Sequence, residues 1–408
     1  MANKKGLVYL IGMNTVHLGN NYLWISFESY ILPIELLKYR DDSLFLGIIA
    51  FAGTVCGILT ALIIGSISDR RSILWGKRSP YIMIGVIASS IILIINRFTA
   101  VSFVLILLGF IFIEVSSNVS VGAYQPLFVD LLEKNQRGLA SGINGIFILI
   151  GSAMGYGITG FFISYDMYNY AIISMAAVLI FTGLITSFTI KNDDTYIKNK
   201  IYIFKYISDM FNLKNGLNEY KYLVIGTFFV LSGVSGLSFF ELYFFKYALH
   251  FSNPSYYVSI AGIFVLIFSS ITAVILGYMS DKTNRINILV FSSVFGSVSM
   301  LLIPEFQSFF FFLIFGSVIG ASYGIFISVS KALASDMSPQ SESGKFMAYY
   351  NISTGGASSA SPLIYGTILS IVSYSDFSYV FFAAGIMLFT GFLFMTILKH
   401  KIINNKLD

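Results

Sequence analysis

Charge is what this sequence has least of. Only 11% of its 408 residues are Asp, Glu, Lys or Arg, against about 25% in a typical soluble domain, so a water-soluble fold would have too little polar material for its surface. Cysteine is scarcer still: Cys56 stands alone, which excludes a disulfide within the chain and leaves no material for thiol chemistry or a cysteine-based metal site. Three histidines form no cluster for a metal, and there is neither a phosphate-binding Gly-Lys motif nor a recognisable pairing of nucleophile and base. Enzyme readings therefore have no starting point, and no metal or cofactor is expected. The net charge of +5 does not call for nucleic acid, because the placement of the bases accounts for it.

What is present is apolar. Hydrophobic residues make up 56% of the chain, and twelve apolar segments follow one another at about 7–34, 45–64, 81–95, 101–128, 139–162, 170–190, 222–249, 256–276, 288–303, 309–330, 346–370 and 378–398. Most approach or exceed the roughly 18–20 residues that a helix needs to cross a bilayer. The first follows MANKKG, exceeds the ~7–15 residue core of a signal peptide and has no small-residue cleavage site, so it is expected to remain in the mature protein. The expected fold class is an all-α integral membrane protein of twelve transmembrane helices, with the lipid bilayer as its surroundings.

The bases are sorted by side. The termini and every second loop hold 21 of the 25 Lys and Arg residues, and the opposite side holds only Lys38, Arg40, Arg97 and Lys246. Such asymmetry places both termini in the cytosol of a cell-membrane protein. The longest polar stretch, 191–221, divides an N-terminal six-helix bundle (1–190) from a C-terminal one (222–408). Its YIFKYISDMF core reads either as an amphipathic helix on the inner membrane surface or as a solvated connector.

The two bundles are copies. The loop after the second segment reads GSISDRRSILWGKRSPYI and recurs more weakly as GYMSDKTNRIN. Glu28 precedes Asp69 by nearly the interval at which Glu241 precedes Asp281, and Asp130 and Gly138 match Asp336 and Gly344 at one common offset. Paired six-helix halves are one way in which secondary transporters are built, with the substrate site near the midplane. The loops would form a cytosolic gate, in which Asp69, Arg70, Lys77, Arg78, Asp130, Arg137 and Asp281 are the candidates and Arg137 is expected to reach Asp69 or Asp130.

Several polar residues do not belong in lipid. Asn14, His17, Asn21, Trp24 and Glu28 recur at alternating steps of three and four, which puts them on one helical face. The stripe is either packing material between helices or the lining of a cavity, and carboxylate, imidazole, amide and indole together suit a polar solute. In the fourth segment Glu114, Asn118, Val121 and Gln125 share a face, with Glu114 near the middle. A charged carboxylate at that depth costs at least ~2.5–3.5 kcal/mol, and no Lys or Arg lies well inside any apolar segment to pair with Glu28, Glu114 or Glu241. Such an acid must be protonated, hold a cation or face water, which makes each of the three a candidate proton carrier.

The loop at Ser68, Asp69, Arg70, Gly76, Lys77, Arg78, Pro80, Tyr81 and Ile82 resembles the signature loop of the major facilitator superfamily, and within it the sucrose-transporter branch of proton-coupled glycoside permeases. A second match is the series Glu114, Asn118, Gly122 and Asp130; a third, looser one is Gly344, Met347 and Asn351, which adds Asn351 to the solute-facing candidates. The resemblance extends to the twelve-helix plan and implies the major facilitator fold, with Glu114 at the proton-coupling position. Gln125 stands where the plant members carry an arginine tied to sucrose transport, so the resemblance implies a sugar or glycoside rather than sucrose itself. The related melibiose-type permeases couple to sodium through acids in helices 2 and 4; helix 2 here has none, which favours protons.

These readings converge on a monomeric secondary transporter that moves a small-molecule solute, a sugar or glycoside, together with a proton. Asn14, His17, Asn21, Trp24, Asn118, Gln125 and Asn351 are its substrate-binding candidates. Export of amphipathic compounds is the alternative that 40 Phe and 26 Tyr residues would suit, although lipid-facing helices use aromatics too. A non-transporting sensor would be expected to carry a soluble output domain, and these residues contain none.

Overall fold

The computed structural model describes residues 5–38, 43–68, 76–133, 135–191, 219–306, 308–339, 343–373 and 376–404. Within them the chain forms twelve helices. The first, α1, covers 7–37 in four pieces: Leu7–Asn14, Val16–Ser26, a π-helical turn at Phe27–Ile31, and Leu32–Leu37. Then come α2 (Ser43–Ser68), α3 (Ser79–Thr99), α4 (Phe103–Asp130), α5 (Arg137–Ser164) and α6 (Tyr168–Ile190). The second set begins with α7, which covers 220–248 as Tyr220–Ser235, a 3₁₀ turn at Leu237–Phe239, Glu241–Tyr243 and a π-helical turn at Phe244–Ala248. It continues with α8 (Pro254–Ser280), α9 (Arg285–Glu305), α10 (Phe309–Asp336), α11 (Ser343–Ile371) and α12 (Ser378–Asn404).

Every expected apolar segment is helical. Among the described residues, ten helices are long and apolar enough to cross a membrane. The other two are α1, which is interrupted and carries the polar stripe, and α11, whose interior is the small, polar run STGGASSASP. The surface helix considered for YIFKYISDMF lies outside the described residues.

The chain divides into two compact units, Met1–Asp42 with Ile49–Tyr206, and Ser43–Ile48 with Ile207–Asp408. In the first, α3 packs on α4 and α6, while α1 packs on α5 and α6. In the second, α9 packs on α10 and α12, while α7 packs on α11 and α12. Adding six to each helix number of the first unit gives the second, so the repeat seen in the loops extends to the packing. Small residues bring the axes close. A Cβ on Gly85 of α3 would lie 2.6 Å from the Ser120 backbone nitrogen of α4, and one on Gly296 of α9 would lie 2.6 Å from Ser322 Oγ of α10.

Interrupted helices need partners for the backbone groups they free, because the bilayer interior offers no water. Where α7 breaks, α11 supplies them. The Gly236 N–H donates to Ser361 Oγ (2.9 Å), the Ser361 hydroxyl donates to the Ser232 carbonyl (2.6 Å), and the Tyr365 hydroxyl donates to the same carbonyl (2.9 Å). Beyond the break the π-helical turn of α7 presents Phe244 to Phe312, Phe377 and Phe381, and Phe245 to Phe309, Phe312 and Tyr257, at centroid distances of 5.0–6.3 Å. This cluster closes one end of the second unit with interlocking, mostly edge-to-face rings. Much of the aromatic content is thus interior packing.

Candidate functional site

Glu114 sits halfway along α4, 5% exposed. Its Oε2 accepts from Asn118 Nδ2 (3.1 Å), which also donates to the Glu114 backbone carbonyl (3.0 Å). No Lys or Arg pairs with it among the described residues; the other ionisable group felt by Glu114 is a second acid, Glu28. The helices carrying the two acids meet through the stacked rings of Phe27 and Phe110, 5.6 Å apart and both fully buried. Glu28 itself lies in the π-helical turn of α1, a kind of distortion common at functional sites.

Helix α2 closes over this carboxyl with two glycines. A Cβ on Gly57 would stand 2.4 Å from Glu114 Oε2 and 2.6 Å from Asn118 Nδ2, and one on Gly53 would stand 2.3 Å from the Phe110 ring and 3.1 Å from Glu114 Cγ. The carboxyl therefore occupies space that any other residue at 57 would claim. Gly57→Ala is expected to push the flexible end of Glu114 off Asn118 while leaving the helices in place. Reaction of Glu114 with a hydrophobic carbodiimide, read by peptide mass spectrometry, should change severalfold; an unchanged rate would show that the pocket tolerates the methyl group.

The α1 stripe is divided by its neighbours. Asn14 is fully buried, donating from Nδ2 to the Leu10 carbonyl (2.7 Å) and accepting at Oδ1 from the Tyr124 hydroxyl of α4. Both ends of its amide are thus engaged in joining α1 to α4. His17 packs edge-on against the Tyr124 ring at 4.2 Å, and its buried Nε2 has no hydrogen-bond partner among the described residues. Asn21 donates to the His17 carbonyl (2.9 Å), and Asn21, Trp24 and Glu28 are half-buried. The opposite side of α1 carries the interhelical glue: Asn20 donates to Ser120 Oγ (3.3 Å), Tyr22 bonds Ser174 (2.7 Å), Ser26 bonds Thr159 (2.6 Å), and Tyr30 donates to the Tyr156 carbonyl (3.2 Å).

Of the remaining candidates, Asn118 is half-buried beside Glu114, whereas Gln125 and Asn351 are exposed. Glu241 follows the 3₁₀ turn of α7, and its buried Oε2 has no hydrogen-bond partner among the described residues.

At one end of the first unit, Arg78 is fully buried. It donates from Nε (3.2 Å) and NH2 (2.8 Å) to Asp130 Oδ2, and from NH1 to the Gly65 carbonyl (3.1 Å) and to Ser68 Oγ. Lys77 adds a second contact to Asp130 at 3.4 Å. The second unit repeats the pairing: Arg285, also at the start of its helix, meets Asp336, the repeat counterpart of Asp130, at 2.7 Å and Asp281 at 2.6 Å. Of the two acids expected for Arg137, Asp130 is not its partner among the described residues: Arg137 donates at 3.4 Å to the backbone carbonyls of Val129 and Leu132, and Lys77 and Arg78 occupy Asp130. Asp69 and Arg70 lie outside the described residues.

The family model for the Major Facilitator Superfamily matches residues 12–268 and 223–404. The chain belongs to that superfamily. Among curated relatives, this facilitator is similar to sucrose transport protein SUC4 of Arabidopsis thaliana, 27% identical over 126 residues that cover 27% of this chain and 25% of the plant protein. It is also similar to solute carrier family 45 member 4 of Mus musculus, 24% identical over 159 residues, 36% of this chain and 20% of that protein. The matches thus span a quarter or less of those relatives' own lengths. Two solved structures share its fold: a bacterial homolog of the human lysosomal transporter Spinster, inward-facing and occupied (TM-score 0.74, 13% identity, 96% of each chain), and the nucleoside transporter NupG (TM-score 0.70, 14% identity, 96% of this chain and 99% of that one).

Sequence reasoning about this facilitator missed Gly53, Gly57 and Tyr124. The two glycines were legible as a small pair one helical turn apart on α2, the spacing at which helices approach closely. Tyr124 gave no such signal, since an aromatic near a helix end is ordinary in a membrane protein.

Proposed function

We propose that the protein is a proton-coupled symporter of a sugar or glycoside, working by alternating access in the cell membrane with both termini in the cytosol. The observation that carries this reading is Glu114: a buried acid at mid-helix, with one amide as its hydrogen-bond partner, at the coupling position of the resembled branch. A carboxyl so held can take up and release a proton with little rearrangement, and the proton is then the coupling ion. Similarity to sucrose transport proteins supports the solute class. His17, Asn21, Trp24 and Glu28 are the α1 residues assigned to the solute, while Asn14 serves to hold α1 against Tyr124.

The test is uptake of a labelled sugar panel by proteoliposomes, with and without an imposed pH gradient. Accumulation of at least one sugar only when the outside is more acidic supports the proposal. Equal uptake with and without the gradient would reduce the protein to a facilitator, and failure with every sugar would overturn the solute class.

Trp24 should set affinity rather than coupling, since an indole stacks on the apolar face of a sugar but does not titrate. Trp24→Ala is expected to weaken solute binding by roughly two- to tenfold, in line with the ~0.5–1.5 kcal/mol of an aromatic contact, and to leave proton leak unchanged. Binding of parent strength by a folded Trp24→Ala protein would place the solute elsewhere.

A further inference from the structure

At the end of the first unit opposite the Arg78–Asp130 pair, the last turns of α1 and α3 meet the first turn of α6. Glu35, 2% exposed, lies at their junction. Its Oε2 accepts from Asn96 Nδ2 (3.0 Å) and its Oε1 from the Tyr168 hydroxyl (2.7 Å). The Tyr168 ring in turn carries two cations, with Lys38 Nζ 4.8 Å and the Arg97 guanidinium carbon 4.9 Å from its centroid. Arg97 Nε donates to Asn169 Oδ1 (2.9 Å). Beside them opens a cavity of about 210 Å³ lined by Glu35, Lys38, Arg97, Phe98, Ala100 and Val101.

One carboxyl faces two cations in this cluster, Glu35 being within electrostatic reach of both Lys38 and Arg97, so the charges do not cancel in full. Neutral donors occupy both oxygens of Glu35, and neither Lys38 nor Arg97 has a carboxylate within ion-pair distance among the described residues. A guanidinium fork and an ammonium on the same wall suit an anion with several acceptor oxygens. The rest of the wall is apolar and open, with Phe98 78% and Val101 60% exposed, at the end of a membrane-spanning helix where side chains reach headgroup level. We propose that this cavity is a binding site for a phosphate-bearing anion, held by Lys38 and Arg97, with Glu35 and Tyr168 as the scaffold that keeps the two cations side by side. The proposal is independent of which solute is transported.

Two sources share this chemistry, a lipid phosphodiester whose acyl chains run along Phe98 and Val101, and free inorganic phosphate. Purified full-length protein would be exposed to phosphatidylglycerol or phosphatidylcholine, and lipid retained after gel filtration counted by native mass spectrometry. A second arm would titrate inorganic phosphate against chloride at equal ionic strength and follow the thermal midpoint. The Lys38→Gln/Arg97→Gln variant should bind the anion roughly 10- to 30-fold more weakly, the loss expected for removing two cations near a membrane surface. Lys246→Gln, which removes a cation near the end of α7, should bind as the parent does. Retained phosphatidylglycerol that phosphate displaces identifies the lipid; phosphate stabilisation without lipid retention identifies the free ion. Should the double variant fail to fold, exposed Lys38→Gln alone should still weaken binding severalfold. Equal lipid retention and equal phosphate response in parent and folded variant would overturn the site.

Discussion

Glu114→Gln is expected to bind and exchange solute across a membrane, yet fail to concentrate it. Glutamine copies the protonated carboxyl in shape and can still accept from Asn118, so the pocket closed by Gly53 and Gly57 stays filled. What it cannot do is release a proton. One pH unit of gradient is worth about 1.4 kcal/mol per proton, enough for roughly tenfold accumulation of a solute that travels with one proton. The parent should approach that ratio and the variant should remain at unity. In a symporter that binds its solute with Glu114 protonated, solute binding by the parent should weaken as rising pH removes the proton; in the variant that part of the pH dependence should vanish. Counterflow with equal solute on both sides separates the two effects, since exchange requires no net proton movement. Glu28→Gln and Glu241→Gln are the comparisons. Accumulation by Glu114→Gln equal to that of the parent would pass coupling to another residue.

Asp130→Asn is expected to cost the fold rather than the transport step. Arg78 is wholly buried, and Asp130, with 29% of its side chain exposed, is its carboxylate partner. Removing that carboxylate takes a countercharge from a buried guanidinium, an effect of about 3–5 kcal/mol where a buried pair is broken. Because Asp130 retains access to water, the low edge of that range, roughly 3 kcal/mol, is the expected loss. The bonds from Arg78 to the Gly65 carbonyl and Ser68 tie α2 to α3 and α4, so loosening should appear first in hydrogen exchange at those helix ends. Replacing both partners by apolar residues, Arg78→Met with Asp130→Leu, should recover part of the loss, since the buried guanidinium goes with its carboxylate although Lys77 loses its 3.4 Å contact to Asp130. The thermal midpoints of the parent, single and double variants in detergent provide the check. An Asp130→Asn protein as stable as the parent would show that the remaining acceptors of Arg78, among them Ser68 and the Gly65 carbonyl, suffice to hold it.

The sequence by itself determined the class of fold, the repeat and the position of the central acid. These are properties that run along one chain: a bilayer selects helices by the length and polarity of contiguous segments, and loop charge is counted residue by residue. Glu114 stood out because an acid in an apolar run is anomalous whatever surrounds it. Roles that depend on another helix were decided only by the tertiary structure. Helical spacing put Asn14 and Asn21 on one face, yet the Tyr124 hydroxyl makes Asn14 a joint between α1 and α4, and no periodicity within α1 encodes which residue of α4 lies opposite. The same holds for Asp130, one of the two acids expected for Arg137, which Arg78 and Lys77 take instead. It holds for Gly57, whose missing side chain matters only because Glu114 occupies the space. Glu35 shows it most plainly, an acid near a helix end whose partners Asn96 and Tyr168 come from α3 and α6. Hydrogen bonds and close packing act over a few ångströms between residues far apart in the chain, so folding had to bring them together before their functions could be read.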